Sequence, residues 1–202
     1  MPDAGAGPAY GRFRSLGGAA DRGLVGRVRI RLAAASDAAA LAAIYRPYVT
    51  DTAVSFETDA PDEAAMQAWV GSGGDLYPWL VACDEAGALL GYASGSAFRT
   101  RPAYRFAVET SVYLAQSAVG RGIGRSLYAR LLETLEAQGF AQAIGAITLP
   151  NPASVALHDA QAMLRGPSLQ ARCLECPMPA PVRRRSEPGP LLARLLAALW
   201  GA

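Results

Sequence analysis

The spacing of apolar and polar residues predicts alternating strands and helices between residues 28 and 160. Apolar, β-branched and aromatic runs predict strands over 28–32, Trp79–Cys83, Leu89–Ala97, 108–114 and 143–149. Helical periodicity predicts helices from residue 36 or 37 to about 49, from 62 to about 70, over 126–138 and from 151 to about 160. The order β-α-α-β-β-β-α-β-α predicts a mixed sheet with flanking helices, in the α/β class.

Capping and turn residues support several of these boundaries. Ser36 and Asp62 are predicted N-caps of the first two helices, and Asn151 with a following proline predicts the start of the last one. The segment 84–87, which ends in glycine, predicts the turn of a hairpin between the second and third strands. Gly139 is the predicted residue that ends the third helix.

The two ends of the chain differ from its middle. Residues 1–27 are rich in glycine and lack periodicity, so we predict a disordered N-terminal extension. Residues 161–202 are rich in proline and arginine, and we predict a mostly disordered tail with a short apolar helix near 191–200. Nothing after residue 160 alternates as a strand would. The predicted folded domain is therefore 28–160.

Composition limits the classes of function. A chain of 202 residues, 51% apolar, suffices for one domain with a sizeable core. No apolar run reaches the roughly 18 residues of a membrane span, and no secretory signal is apparent, so we expect no membrane partner. Three cysteines without a signal peptide favour a reducing cytoplasm over a disulfide framework.

Charge is unevenly distributed. Residues 28–160 carry nine arginines against thirteen acidic residues, whereas residues 161–202 carry six arginines against two glutamates. The run Arg183, Arg184 and Arg185 could contact nucleic acid. No aromatic or helical recognition element surrounds it, so a solvated tail is the favoured interpretation and no nucleic-acid partner is expected.

A glycine-rich turn follows the predicted strand 108–114 and opens directly into a helix. Gly120, Gly122 and Gly124 occupy alternate positions, where backbone N–H groups at the positive end of the helix would face an anion. The dinucleotide fingerprint would need glycine at position 125, which is Arg125, and a Walker loop would need lysine, which this chain lacks. The pattern resembles the pyrophosphate loop of the GNAT acetyltransferases, with Val119 in place of their glutamine or arginine. A glycine-rich turn without a ligand is the remaining alternative.

Five further segments make the resemblance more specific. Segments 44–49, 52–58, 101–105, 109–114 and 151–158 resemble, in order, those of the phosphinothricin-type N-acetyltransferases within the GNAT superfamily. The resemblance covers residues 28–160, about two-thirds of the chain. It implies the GNAT acyl-CoA N-acyltransferase fold. It also implies acetyl transfer from acetyl-CoA to the amine of small amino-acid-like compounds, such as phosphinothricin and methionine sulfoximine or sulfone.

The resemblance also implies which residues bind each substrate. Backbone amides of the loop would hold the CoA pyrophosphate, and the preceding strand would pair with the pantetheine arm, with one strand N–H polarising the thioester carbonyl. The implied cofactor-binding residues are Val112, Tyr113, Leu114, Val119, Gly120, Arg121, Gly122, Ile123, Gly124, Arg125 and Asn151. The residues implied near the acceptor are Phe56, Glu57, Arg101 and Tyr104.

The chemistry requires a base, because an ammonium must lose a proton before it attacks a thioester. Glu109, at the start of the central strand, is the best candidate, acting through a water. An unperturbed carboxylate is much less basic than an amine. We therefore expect a water chain and a partly buried site to help Glu109 remove the proton. His158, the only histidine, stands where many GNAT enzymes carry a tyrosine that protonates the leaving thiolate; a packing role is the favoured interpretation.

The resemblance stops after residue 160, where the family continues with two further strands. The sequence therefore predicts a sheet that lacks its last two strands. An inactive or CoA-binding-only remnant with an overwritten acceptor site is the alternative function.

Cys173 and Cys176 have the spacing of half a zinc site but lack a second pair, so no metal is expected. Members of this family tend to form dimers, so the resemblance also implies a homodimer.

Overall fold

A six-stranded sheet organises the fold, with its strands in the order β1-β2-β3-β4-β5-β6. The computed structural model describes residues 28–162 and 170–177, with side chains described for 28–160. The strands are β1 Arg29–Leu32, β2 Trp79–Cys83, β3 Leu89–Ala97, β4 Ala107–Leu114, β5 Gln142–Leu149 and β6 Gln170–Pro177. The first four strands pair antiparallel, whereas β4, β5 and β6 run parallel.

Four α-helices cover the two faces of the sheet: α1 Ala38–Thr50, α2 Glu63–Ser72, α3 Ile123–Ala137 and α4 Pro152–Ala162. Helices α1 and α2 pack with β2 and β3 residues such as Val81 and Tyr92 in one core cluster. Helix α3 packs in the second cluster, against which Leu157 of α4 also lies. None of the helices in the described residues is long and apolar enough to cross a membrane. The mixed sheet with flanking helices confirms the fold predicted from the sequence.

Local sequence signals account for the β2–β3 hairpin and the ends of two helices. Asp84 accepts hydrogen bonds from the N–H groups of Gly87 and Ala88, at 3.1 and 2.9 Å, and Gly87 adopts a φ of +88°. The Asp62 carboxylate accepts from the Ala65 N–H at 2.8 Å, which confirms it as the cap of α2. Gly139, with a φ of +90°, ends α3 as expected.

The predicted cap Ser36 is wrong. Residues Ala35–Asp37 form a turn of 3-10 helix, and α1 begins only after it. The Asp37 carboxylate accepts from the Ala34 N–H at 2.8 Å and pairs with both terminal nitrogens of Arg31, at 2.7 and 2.8 Å. These bonds to Arg31 hold the Asp37 pKa below its usual range. A buried carboxylate that can satisfy a backbone N–H and a guanidinium together outcompetes a neighbouring hydroxyl.

The prediction of no strand after residue 160 is also wrong. Strand β6 pairs in parallel with β5 over its whole length, from Gln142 opposite Gln170 to Leu149 opposite Pro177. The edge of a mostly buried strand such as β5 carries N–H and C=O groups that need partners, whatever the side-chain pattern of the partner strand. The predictions for residues 1–27 and for the helix near 191–200 fall outside the described residues.

Candidate active site

Strands β4 and β5 separate partway along their length, and this opens a cleft. Their parallel pairing covers only Ala107–Glu109 and Gln142–Ile144, although β4 stays paired with β3 as far as Leu114. At the point of separation the Thr110 hydroxyl lies 3.4 Å from the Ile144 carbonyl oxygen and 3.0 Å from the Tyr128 hydroxyl. Beyond Thr110, the β5-facing edge of β4 borders a gap rather than a strand.

Alternate residues of β4 direct their backbone polar groups into this gap. The Ala115 N–H donates to the Leu90 carbonyl of β3 at 2.9 Å, which sets the phase of the antiparallel ladder. Since alternate residues bond to the same neighbour, Tyr113 faces β3, whereas Val112 and Leu114 face the gap. The Leu114 groups meet the Tyr48 hydroxyl of α1, which donates to the Leu114 carbonyl at 2.7 Å and accepts from the Leu114 N–H at 3.3 Å.

The glycine loop follows the same end of β4. Gly120 and Gly122 adopt φ values of +76° and +77°, a left-handed conformation that side chains rarely tolerate. Helix α3 begins at Ile123, three residues earlier than predicted, so Gly124 lies in its first turn. There a Cβ would come 3.3 Å from Leu114, so this glycine allows the helix to pack closely on the strand. Arg121, Arg125 and Val119 are exposed around this helix start.

A second cavity, of about 390 Å³, lies on the face of the sheet covered by α1 and α2. Its lining includes four serines, the Glu57 carboxylate and the aromatic rings of Tyr45, Trp69, Tyr77, Trp79, Tyr92 and Tyr113. Tyr113 meets Tyr45 edge-on with centroids 4.8 Å apart, and Trp79 stacks on Tyr92 at 5.3 Å. No lysine, arginine or histidine is among its described lining residues.

Only one of the four predicted acceptor residues lines this aromatic cavity. Glu57 does so, whereas Phe56 is 65% exposed and lies outside the lining. Arg101 precedes a short 3-10 turn and Tyr104 is its last residue. This turn lies in the loop after β3, and Ala97, the last residue of β3, lines the cavity. These two residues therefore belong to the loop beside the cavity rather than to its wall.

Glu109 lies at the edge of the aromatic cavity. Its β3 partner Ser96 and the next residue on the same face of β4, Ser111, both line the cavity. Half-burial raises the pKa of the Glu109 carboxyl above its usual range. The Glu109 carboxylate in turn contributes to raising the pKa of Tyr113, although burial is the larger cause.

Asn151 lies directly before helix α4, and His158 lies within it. The Asn151 side-chain oxygen caps the helix by accepting from the Ser154 N–H at 3.1 Å, which leaves its amide nitrogen outside this cap. His158 is 7% exposed and its Nδ1 lies 2.8 Å from the Ser154 carbonyl, so Nδ1 carries the proton. Burial lowers the His158 pKa, and its ring packs against Gly145 and Tyr128. This placement agrees with a packing role.

The sequence matches the acetyltransferase (GNAT) family over residues 39–163. The chain belongs to the GNAT acetyltransferase family. It is therefore an N-acetyltransferase that uses acetyl-CoA as co-substrate, as the sequence predicted. The matched region contains the β4–β5 cleft, the glycine loop and the aromatic cavity. Among the described residues, no group of three or more histidine, cysteine, aspartate or glutamate side chains could hold a metal ion.

Three relatives illustrate the similarity of this acetyltransferase to characterised proteins. It is 39% identical over 134 residues to the phosphinothricin N-acetyltransferase of Streptomyces coelicolor, covering 65% of this chain and 78% of the relative. It is 38% identical over 130 residues to the L-methionine sulfoximine/L-methionine sulfone acetyltransferase of Pseudomonas aeruginosa, covering 64% and 76%. A phosphinothricin acetyltransferase from Sinorhizobium meliloti, solved with acetyl-CoA, superposes with a TM-score of 0.64 at 43% identity, covering 66% and 72%.

The sequence did not predict most of the residues that line the aromatic cavity. The rings of Tyr45, Trp69, Trp79 and Tyr92 come from four different elements, α1, α2, β2 and β3. Their clustering depends on contacts between distant elements, which spacing along the chain does not reveal. The one available signal was the number of aromatic residues in segments that the resemblance already covered.

Proposed function

We propose that this acetyltransferase acetylates the primary amine of a small amino-acid-like acceptor bound in the aromatic cavity. The phosphinothricin and methionine sulfoximine/sulfone acetyltransferases to which it is similar suggest the acceptor class. The observation that carries the proposal is the cavity itself, which combines aromatic faces with the Glu57 carboxylate and lies beside Glu109.

The donor would occupy the cleft between β4 and β5. Acetyl-CoA supplies a thioester, whose acyl group is activated for attack by an amine. The backbone N–H groups at the start of α3, together with Gly120 and Gly122, would bind the pyrophosphate at the positive end of the helix dipole. The cleft-facing N–H of Val112 would polarise the thioester carbonyl. Asn151, across the cleft at the end of β5, would donate its amide nitrogen to the pantetheine amides.

The acceptor would enter the aromatic cavity as an ammonium ion. Aromatic faces attract cations, by about 0.5–2 kcal/mol, and Glu57 adds a negative charge. The described cavity lining carries no positive group, so an acceptor carboxylate would lie outside it. Arg101, in the exposed loop that follows β3, would bind that carboxylate. An amino-acid-like molecule would thereby be oriented with its amine toward the sheet.

Glu109 would accept the proton of the bound ammonium, through a water. Its half-burial raises its pKa and thereby makes the carboxylate a stronger base. The alternative of a remnant with an overwritten acceptor site is not favoured, because the cavity is already formed by described residues between Tyr45 and Tyr113. The predicted homodimer and cytoplasmic location are further parts of the proposal, to be tested in solution and in cells.

The acceptor assignment is tested by Glu57→Gln, which keeps the size of the side chain and removes its charge. We expect the KM for methionine sulfone to rise about 2–5-fold, since the charge contact of an exposed carboxylate such as Glu57 contributes about 0.5–1 kcal/mol, while the KM for acetyl-CoA stays unchanged. Glu63→Gln, on the exposed first turn of α2, is the matched control. An unchanged KM for methionine sulfone in Glu57→Gln would place the acceptor elsewhere.

A further inference from the structure

Tyr48 makes a contact that the proposed reaction does not use. Its hydroxyl hydrogen-bonds both backbone polar groups of Leu114, which is 66 positions away in the sequence. The Leu114 groups face the cleft, on the side of β4 that has lost its partner strand. The Tyr48 hydroxyl therefore provides the hydrogen-bond partner for both backbone groups at the last unpaired position on this edge of β4.

The pantetheine arm of acetyl-CoA needs the same backbone groups. The arm carries two amides, and an extended ligand of this kind pairs with a strand edge through the N–H and C=O of alternate residues. In the separated part of β4 before its end, the alternate residues facing the cleft are Val112 and Leu114. Because Tyr48 already bonds to Leu114, the arm and the Tyr48 hydroxyl compete for one position.

We propose that the Tyr48 hydroxyl bonds to Leu114 in the free protein and is displaced when the pantetheine arm binds, so that Tyr48 sets the affinity for acetyl-CoA. The inference rests on the proposed pairing of β4 with the arm. Tyr48 lies two residues before the end of α1 and is only partly buried, so its side chain has room to move toward solvent. Burial raises the Tyr48 pKa, and the hydroxyl therefore stays protonated and remains a donor at neutral pH.

The effect has a definite sign. In the wild-type protein the arm replaces intramolecular hydrogen bonds, whereas in Tyr48→Phe it replaces only bonds from Leu114 to water. A hydrogen bond within the protein is modestly more favourable than bonds from the same groups to water. For the two bonds of Tyr48 this difference corresponds to about 2–10-fold in acetyl-CoA affinity. Tyr48→Phe keeps the ring, whose edge contact with Tyr113 has centroids 5.0 Å apart. It should therefore bind acetyl-CoA more tightly than wild type.

The test compares two ligands by isothermal titration calorimetry. Acetyl-CoA carries the arm, whereas 3′-phosphoadenosine 5′-diphosphate contains the nucleotide and pyrophosphate without it. In Tyr48→Phe the dissociation constant for acetyl-CoA should fall about 2–10-fold, while that for the nucleotide stays within twofold of wild type. Thr50→Val, on the same helix, loses an exposed hydroxyl that donates to the Arg46 carbonyl at 3.1 Å and should leave the acetyl-CoA dissociation constant within twofold.

The outcomes separate this inference from the function on which it rests. An acetyl-CoA dissociation constant that is unchanged or higher in Tyr48→Phe, or an equal change for both ligands, overturns the role of Tyr48 alone. A wild-type protein that binds neither ligand overturns the proposed cofactor site, and this inference with it.

Discussion

At the scale of single residues, the proposed base Glu109 lies between the aromatic cavity and the cleft that separates β4 from β5. It is the last residue of β4 that pairs with β5, and its neighbours Ser96 and Ser111 line the aromatic cavity. Glu109 therefore lies beside the proposed acceptor cavity and next to the point where β4 and β5 separate. Its half-buried environment explains why its pKa is raised, since burial penalises the charged form.

The proposed role of Glu109 as the base predicts how kcat/KM of the acetyltransferase depends on pH. The base must be deprotonated, so kcat/KM should increase as the pH rises through the raised pKa of Glu109. Glu109→Gln should lower kcat by about 10²–10⁴-fold and remove this acidic limb, because the amide accepts no proton. Rate profiles against pH at saturating acetyl-CoA measure both effects.

The matched control for this prediction is Glu133→Gln. Glu133 is an exposed residue of α3 that pairs with Arg130 at 3.1 Å, far from the described cavity lining. Its pH profile should coincide with that of the wild type. Survival of the acidic limb in Glu109→Gln would assign the base to another group.

Some of these residues could be predicted from the sequence and others could not. The glycine loop and Glu109 follow from a contiguous motif, because a strand, a turn and a helix start lie together in the chain. The contact between Tyr48 and Leu114 joins residues 66 positions apart, and only the packing of α1 against the sheet brings them together. The aromatic rings of the cavity are distant in the chain for the same reason.

At the scale of elements, local signals predicted the hairpin and the helix ends well. The turn at Asp84–Gly87 and the caps Asp62 and Asn151 depend on hydrogen bonds within four residues. Strand β6 depends instead on the unpaired edge of β5, which is a property of the sheet and not of residues 170–177. Ser36 failed as a cap because Asp37 bonds to Arg31 of β1, a contact between elements.

The packing of α4 on β5 predicts a stability change for Gly145→Ala. A Cβ at residue 145 would collide with the His158 ring, so the variant should be less stable by about 1–3 kcal/mol, as for other overpacked cores. Urea unfolding measures this difference. The measurement is made at a pH above the ordinary titration range of histidine. Burial lowers the pKa of His158 in the folded protein, so the stabilisation that depends on neutral His158 is present at that pH and is lost as the pH falls.

Two companion variants make this prediction specific. Gly71→Ala lies in α2 with open space around its Cβ and should be neutral or stabilising by up to about 1 kcal/mol. In a His158→Ala background, Gly145→Ala should cost less than in the wild type, because the colliding ring is gone. Equal costs in both backgrounds would show that the collision with His158 does not determine the stability of this packing.

At the scale of the whole molecule, the proposed donor and acceptor sites lie within one continuous part of the chain. The described lining of the aromatic cavity runs from Tyr45 to Tyr113, and the glycine loop follows directly. The family match ends at residue 163, beyond all of these residues. The described residues of both proposed sites therefore precede the end of the match, and β6 pairs with the edge of β5.

The most direct measurement of the central claim is the rate of CoA thiol release from acetyl-CoA, with and without an amino-acid acceptor. The account predicts that wild-type protein releases thiol when phosphinothricin or methionine sulfone is added, that the N-acetylated acceptor forms in equal amount, and that Glu109→Gln is at least about 10²-fold slower. Acetyl-CoA binding without acceptor-stimulated thiol release, for either compound, would contradict it.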